Sequence, residues 1–197
     1  MKASNCRVLP RLLAVLAIVA AMLLVQCGTT APDPAARARS AVAWNVVYQV
    51  LQHPRCVNCH PKGDVPLQGD LGLPHAQNVQ RGSDGGGMFA MRCAACHQQQ
   101  NVAGAHMPPG ALGWRLPPAG MPLVFAGRSS AELYRQLTDP AQNGGRTPEQ
   151  LLKHLTEDAL VQWAWAPGDG RVPIPIPHAT FVEEVRTWIA GGCAGPQ

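Results

Sequence analysis

Charge is scarce in this chain, aromatic side chains are scarcer, and cysteine leaves no spare pair. Of 197 residues, 14% are charged and 5% are aromatic, with two tyrosines and three phenylalanines. No basic run exceeds two residues and none is interleaved with aromatics, which excludes a nucleic-acid footprint. No stretch sustains the apolar–polar alternation of a half-buried strand, which argues against a β architecture. Asp84-Gly85-Gly86-Gly87 lacks the lysine and the strand–helix frame of a phosphate loop and reads as a turn. No Ser/His/Asp or paired-carboxylate constellation follows from spacing. Glycine (20) and proline (19) are abundant instead, a composition that signals disorder unless something other than polypeptide supplies apolar surface.

Two pentapeptides point to that surface. Cys-x-x-Cys-His occurs as Cys56-Val57-Asn58-Cys59-His60 and again as Cys93-Ala94-Ala95-Cys96-His97. The pattern is that of c-type haem attachment: two thiols tether one porphyrin, and the histidine that follows becomes an iron ligand. Tether and ligand must share one short helical turn beside the ring. The competing reading is zinc, since two Cys-x-x-Cys pairs can furnish a tetrahedron, but zinc does not require a histidine after each pair. The expected cofactors are therefore two covalent haems, held by Cys56, Cys59 and His60 and by Cys93, Cys96 and His97. Each porphyrin offers a large apolar plane for loops to pack on, so the fold is expected to lean on haem more than on helix packing.

The first residues agree with that chemistry. Lys2, Arg7 and Arg11 precede a 14-residue apolar run, Leu12 to Val25, short for a membrane span and suited to an export signal. Leu24-Val25-Gln26-Cys27 resembles a lipobox, with Gln26 departing from the small residue that motif takes before its cysteine. Residues 1–27 are read as a signal peptide, residues 28–33 as a linker and residues 34–197 as the dihaem domain. The expected location is the periplasm, with membrane contact only through a lipid on Cys27 or an uncleaved leader. Cys6 and Cys27 fall in the signal and four cysteines in the motifs, which leaves Cys193 as an unpaired thiol. Without residues 1–27, Lys+Arg falls from 16 to 13 against 12 acidic residues, near neutral before the haem propionates are added.

Four helices can be read, giving an all-α class with few helices and long Gly/Pro loops at 61–92 and 98–128 wrapped around two haems. Residues 34–52 carry a stripe of Val42, Val46, Val47, Val50 and Leu51 that leads into the first motif. Ser129 and Glu132 stand at capping-box spacing before a short helix, Ser130 to Thr138. Thr147, Pro148 and Gln150 open another, expected to reach about Trp165. Thr180 and Glu183 repeat the box before a terminal helix that buries Phe181, Val182, Val185, Trp188 and Ile189 and stops at Gly191-Gly192.

The order helix, haem motif, loops, late Met-Pro, terminal helix is similar to class I cytochrome c, with a second motif 37 residues after the first. One compact dihaem domain is expected rather than two fused ones, because such a short unit is small for its own core. The segments His53 to Pro61, Met91-Arg92-Cys93, Asn143-Gly144-Gly145-Arg146 and Trp163-Ala164-Trp165-Ala166-Pro167-Gly168 resemble a bacterial family of small dihaem cytochromes, often labelled as an isoquinoline 1-oxidoreductase subunit. The resemblance covers roughly residues 40–193 and implies a periplasmic electron carrier whose redox partners are a dehydrogenase and a downstream acceptor.

Sixth iron ligands are drawn from His53, His75, Met88, Met91, His106, Met107, Met121, His154 and His178. Loop reach favours His75, 15 residues past His60, for the first haem, and Met121, 24 residues past His97 and followed by proline, for the second. Trp114, Trp163, Trp165 and Trp188 are read as haem-pocket walls, and Arg55, Arg92, Arg115 and Arg128 as partners for propionates. With both irons saturated the function is single-electron transfer. With one left open it is a small peroxidase-like haem enzyme or a haem sensor.

Overall fold

The computed structural model describes residues 32–196; the leader expected over 1–27 and residues 28–31 lie outside the described residues. Six α-helices and two minimal hairpins are joined by long loops. Helix α1, Pro34–Leu51, starts where Asp33 accepts hydrogen bonds from the Ala35 and Ala36 amides and Pro34 presets the first turn. Its buried face is Ser40, Ala43, Trp44, Val47, Val50 and Leu51, at the spacing of a 3.6-residue helix. The valine stripe is only half of that face. Val42 points outward, 66% exposed, and Trp44 takes the central position.

Helix α1 packs along α6, His178–Ala190. Ser40 Oγ donates to Trp188 O at 2.6 Å and accepts from the Ala194 amide at 2.9 Å, and the Trp44 and Trp188 rings meet at 5.1 Å. The two helices approach so closely at Gly191 that a β-carbon there would strike Ala36 O and Ser40 Cβ. Gly191→Ala should therefore cost about 1–3 kcal/mol, seen as a lower melting temperature, while Gly120→Ala, with open space around it, should leave it unchanged.

Around this pair the core gathers Phe125, Leu133, Leu137, Leu151, Leu155, Ala164, Ile174, Phe181 and Val185. Helix α3, Ser130–Thr138, and helix α4, Pro148–Glu157, both form the reciprocal capping boxes written in their sequences, through Ser129 with Glu132 and Thr147 with Gln150. Helix α4 stops early, however. Asp158 turns extended and caps a new helix, α5, Ala159–Gln162, by accepting from the Leu160 amide at 2.9 Å, and a 3₁₀ turn follows at Trp163–Trp165. The terminal helix also starts earlier than the Thr180 box implies. Pro177 O accepts the Phe181 amide at 3.0 Å, closing the first turn three residues sooner, and Thr180 sits inside it.

The main buried cluster takes no residue from 61–124. That segment is shaped by hydrogen bonds instead. Strand β1, Leu67–Gln68, pairs antiparallel with β2, Leu73–Pro74, and β3, Gly87–Met88, with β4, Met91–Arg92. Arg81, 1% exposed, donates to the carbonyls of Gly63, Pro117 and Pro122 and faces Asp64, tying three loops together. Gly85, at φ +82°, lies against Leu116 O with no room for a β-carbon. Among the described residues, no helix is long and apolar enough to cross a membrane.

Candidate functional site

The first Cys-x-x-Cys-His segment is a helical turn. Helix α2, Pro54–Val57, is capped by His53, whose ring accepts from the Arg55 amide, and the His60 amide continues the turn onto Cys56 O at 3.1 Å. Cys56, Cys59 and His60 thus leave one short turn together. Cys56 and Cys59 keep part of their surface accessible, yet desolvation by the surrounding protein pushes their thiols up to about 12 and about 11, so both hold their protons. The His60 ring lies flat on Phe125, centres 3.8 Å apart and planes within 4°, and its Nδ1 is 2.7 Å from Leu123 O. Burial lowers the His60 pKa to about 4. The neutral ring therefore donates Nδ1–H to that carbonyl, which leaves Nε2 with a free lone pair. The loop that supplies both partners is stitched back on: the Phe125 and Ala126 amides bond His60 O, and Gln52 and Tyr48 of the α1 end hold Phe125 O and Arg128 O.

The second turn repeats this arrangement with different residues. The 3₁₀ turn Cys93–Ala95 carries the His97 amide onto Cys93 O at 2.9 Å. His97 lies on Trp114 with centres 4.4 Å apart and planes within 4°, and its Nδ1 is 2.7 Å from Pro109 O. Desolvation lowers the His97 pKa as well. Asn101 braces the loop, accepting from the Gly110 amide and Trp163 Nε1 and donating to Ala166 O. Trp163 meets Trp114 edge-on at 4.9 Å and lies 5.8 Å from the Arg55 guanidinium, so packing runs from one turn to the other. Cys59 lies close enough to Cys93 for a negative charge there to raise its pKa further.

Both imidazoles are thus neutral, clamped by a carbonyl at Nδ1 and set flat against an aromatic ring. An imidazole held in this way is prepared to bind a metal through its other nitrogen. Haem fits the residues present. It brings four ring nitrogens of its own and asks the protein for thiols and one or two axial donors. A bare zinc ion asks for a convergent tetrahedron, and among the described residues no three His, Cys, Asp or Glu side chains converge on a metal position. The buried members of the main cluster include none of 61–124, and Leu71, Leu73, Met88, Phe89 and Met91 are exposed there, an arrangement that would suit loops lying on a porphyrin.

His75 lies beside His97, and Met121 lies in the loop whose Leu123 carbonyl meets His60. His75, expected at the first site, stands against His97 of the second, ring centres 6.2 Å apart. Met121, expected at the second, belongs to the loop that holds His60: it precedes Leu123 by two residues and packs beside Gly144. His154 is also near enough to His60 to influence its charge, and its Nδ1 is 3.2 Å from Asp158. His53 caps α2, His178 lies 3.1 Å from Leu155 O, and His106 packs against Gly170. Met88, Met91 and Met107 are exposed.

Trp188 is a wall of the helical core, and Trp165 packs on Phe181 and His178, so only Trp114 and Trp163 border the turns. Arg55 and Arg92 already hold protein carboxylates, Asp70 and Asp84. Cys193 is a protonated thiol, pushed up to about 11 by burial, at the wall of a pocket of about 330 Å³ that no motif residue lines. Reading by motif misses Phe125, Arg81, Asn101 and the carbonyls of Leu123 and Pro109, because aromatic and carbonyl partners carry no spacing signature. No family model matches this chain, and no curated protein or solved structure matches it.

Proposed function

We propose that this chain is a dihaem c-type cytochrome of the periplasm, soluble or lipid-anchored at Cys27, that passes single electrons from a dehydrogenase to a downstream acceptor. The observation that carries the reading is the twofold occurrence of one geometry: a Cys-x-x-Cys-His turn whose imidazole gives Nδ1–H to a loop carbonyl and lies flat on an aromatic ring. Haem, once tethered, supplies an iron that accepts one electron and returns it.

The chain's part is to hold that iron unchanged through the cycle. Cys56 with Cys59, and Cys93 with Cys96, would tether the two rings; His60 and His97 would each offer a nitrogen to the iron, and Leu123 and Pro109 fix the tautomer that leaves those nitrogens free. Phe125 and Trp114 keep the imidazoles from turning, so little reorganises when charge changes. The contact through Arg55, Trp163 and Trp114 joins the two turns, so an electron entering at either has a short packed route to the other.

A potentiometric titration of the exported protein should give two reversible one-electron waves with low-spin spectra, and no turnover of peroxide. Fast carbon monoxide binding by the ferrous wild type, or sustained peroxide reduction, would instead identify a haem sensor or a peroxidase-like enzyme with an open iron.

A further inference from the structure

We infer that His75 is the second axial ligand at the second turn, facing His97 across the iron. The inference rests on the dihaem reading and adds which residue completes which site. The two rings have centres 6.2 Å apart and planes at 66°. That is too wide for the ring contacts found at these turns, 3.8 Å for His60 on Phe125 and 4.4 Å for His97 on Trp114. It is the spacing of two imidazoles with one metal ion between them. Nitrogens ~2 Å from the ion on opposite sides, with ~1 Å more from nitrogen to ring centre at each end, put the centres about 6 Å apart.

A second observation is independent of the first. His75 Nδ1 is buried and has no hydrogen-bond partner. A ring nitrogen left in that state calls for a missing partner, and a metal ion is one that fits. His97 has committed Nδ1 to Pro109 O, so its remaining nitrogen is the donor on the opposite side.

The chain also builds a support for His75, and builds it from the first turn. Asn58, between Cys56 and Cys59, accepts the Leu67 amide on its carbonyl and donates its side-chain amide to Gly69 O at 2.8 Å. Arg55, 4% exposed, reaches Gly69 O and Asp70 in the same hairpin. Strand β2 of that hairpin ends at Pro74, and the His75 amide bonds Pro66 O at 2.9 Å. The ligand of one iron is therefore positioned by the attachment turn of the other. Two imidazoles saturate an iron and hold its potential below that of a histidine–methionine iron.

The test is electron paramagnetic resonance and near-infrared magnetic circular dichroism of the oxidised holoprotein, after intact mass has counted the haems. Wild type should show one bis-histidine centre. His75→Ala should abolish that signal and open one ferrous haem to carbon monoxide; His75→Met, which keeps a ligand, should replace it with a methionine–iron charge-transfer band and raise one potential. His75→Ala should cause the same losses when made in a Cys56→Ser/Cys59→Ser background, which would carry only the second haem. Two haems with neither substitution changing the spectrum would overturn the inference and leave the dihaem reading standing, as would a change confined to the first haem. A chain with no covalent haem would overturn both.

Discussion

Exported protein recovered from a cell that matures c-type cytochromes should carry two covalent porphyrins per chain, and Cys93→Ser/Cys96→Ser should carry one. This is the largest effect expected of any substitution here, because attachment at each turn is all or none for the porphyrin it holds. The expectation rests on chemistry local to each turn. Each pair leaves a single helical turn beside its own histidine, and the first pair is held protonated by its surroundings. The pairs are also unequal: Cys93 is buried and Cys96 exposed. Cys96→Ser alone should therefore leave a singly tethered second haem in a folded chain, whereas Cys93→Ser should also disturb the packing beneath it. Intact mass after acid denaturation, which strips non-covalent haem, reads all four outcomes. Stoichiometric zinc with no porphyrin would end the cytochrome reading.

The second large effect concerns the protein without cofactor. Composition alone makes haem responsible for most of the fold. The buried cluster divides that responsibility: α1, α3, α4 and α6 enclose Trp44, Leu133, Val185 and Trp188, and from 61–124 only Leu123 packs at the cluster's margin. Apoprotein made in the cytoplasm should keep this helical half, with amides of α1 and α6 protected roughly 10³-fold or more against hydrogen exchange. Amides of 61–124 should exchange much faster than those of the helices, since hydrogen bonds between loops, the Arg81 contacts and two two-residue hairpins order them with little apolar core beneath. Haem attachment should then slow exchange at Arg81, Cys93 and Leu116, whose amides bond inward. Uniform protection along the apoprotein would show that the loops need no cofactor, and uniform exposure that the helices cannot stand without it.

Local rules carried the helices further than the site. Ser129 with Glu132 and Thr147 with Gln150 state a helix start in side chains that act within one turn, and both boxes form. The same rule misleads at Thr180, where the Pro177 carbonyl, a backbone group invisible to composition, opens the helix first. Asp158 ends α4 because its carboxylate can cap a new start, an option that a continuous apolar pattern conceals. The two motifs were legible because their chemistry fits within five residues. The place of His75 beside His97 was not, since loop length bounds how far His75 can reach without choosing a direction; Asn58 and Arg55, gripping the hairpin before it, set that direction. Nor does anything in Gln80-Arg81-Gly82 announce that this arginine, unlike Arg55 or Arg92, was to be enclosed by carbonyls.

The union of α1 with α6 also sets an order of events. Ser40 and Trp188 are separated by 148 residues, and both Cys-x-x-Cys-His motifs lie between them. Closing so long a loop is entropically expensive and slow compared with forming any single turn. Until α6 has been synthesised, Trp44 has no Trp188 to meet, and the intervening chain with both Cys-x-x-Cys-His turns stays open. Placing the closing contact late in the sequence leaves both turns reachable until α1 and α6 have met.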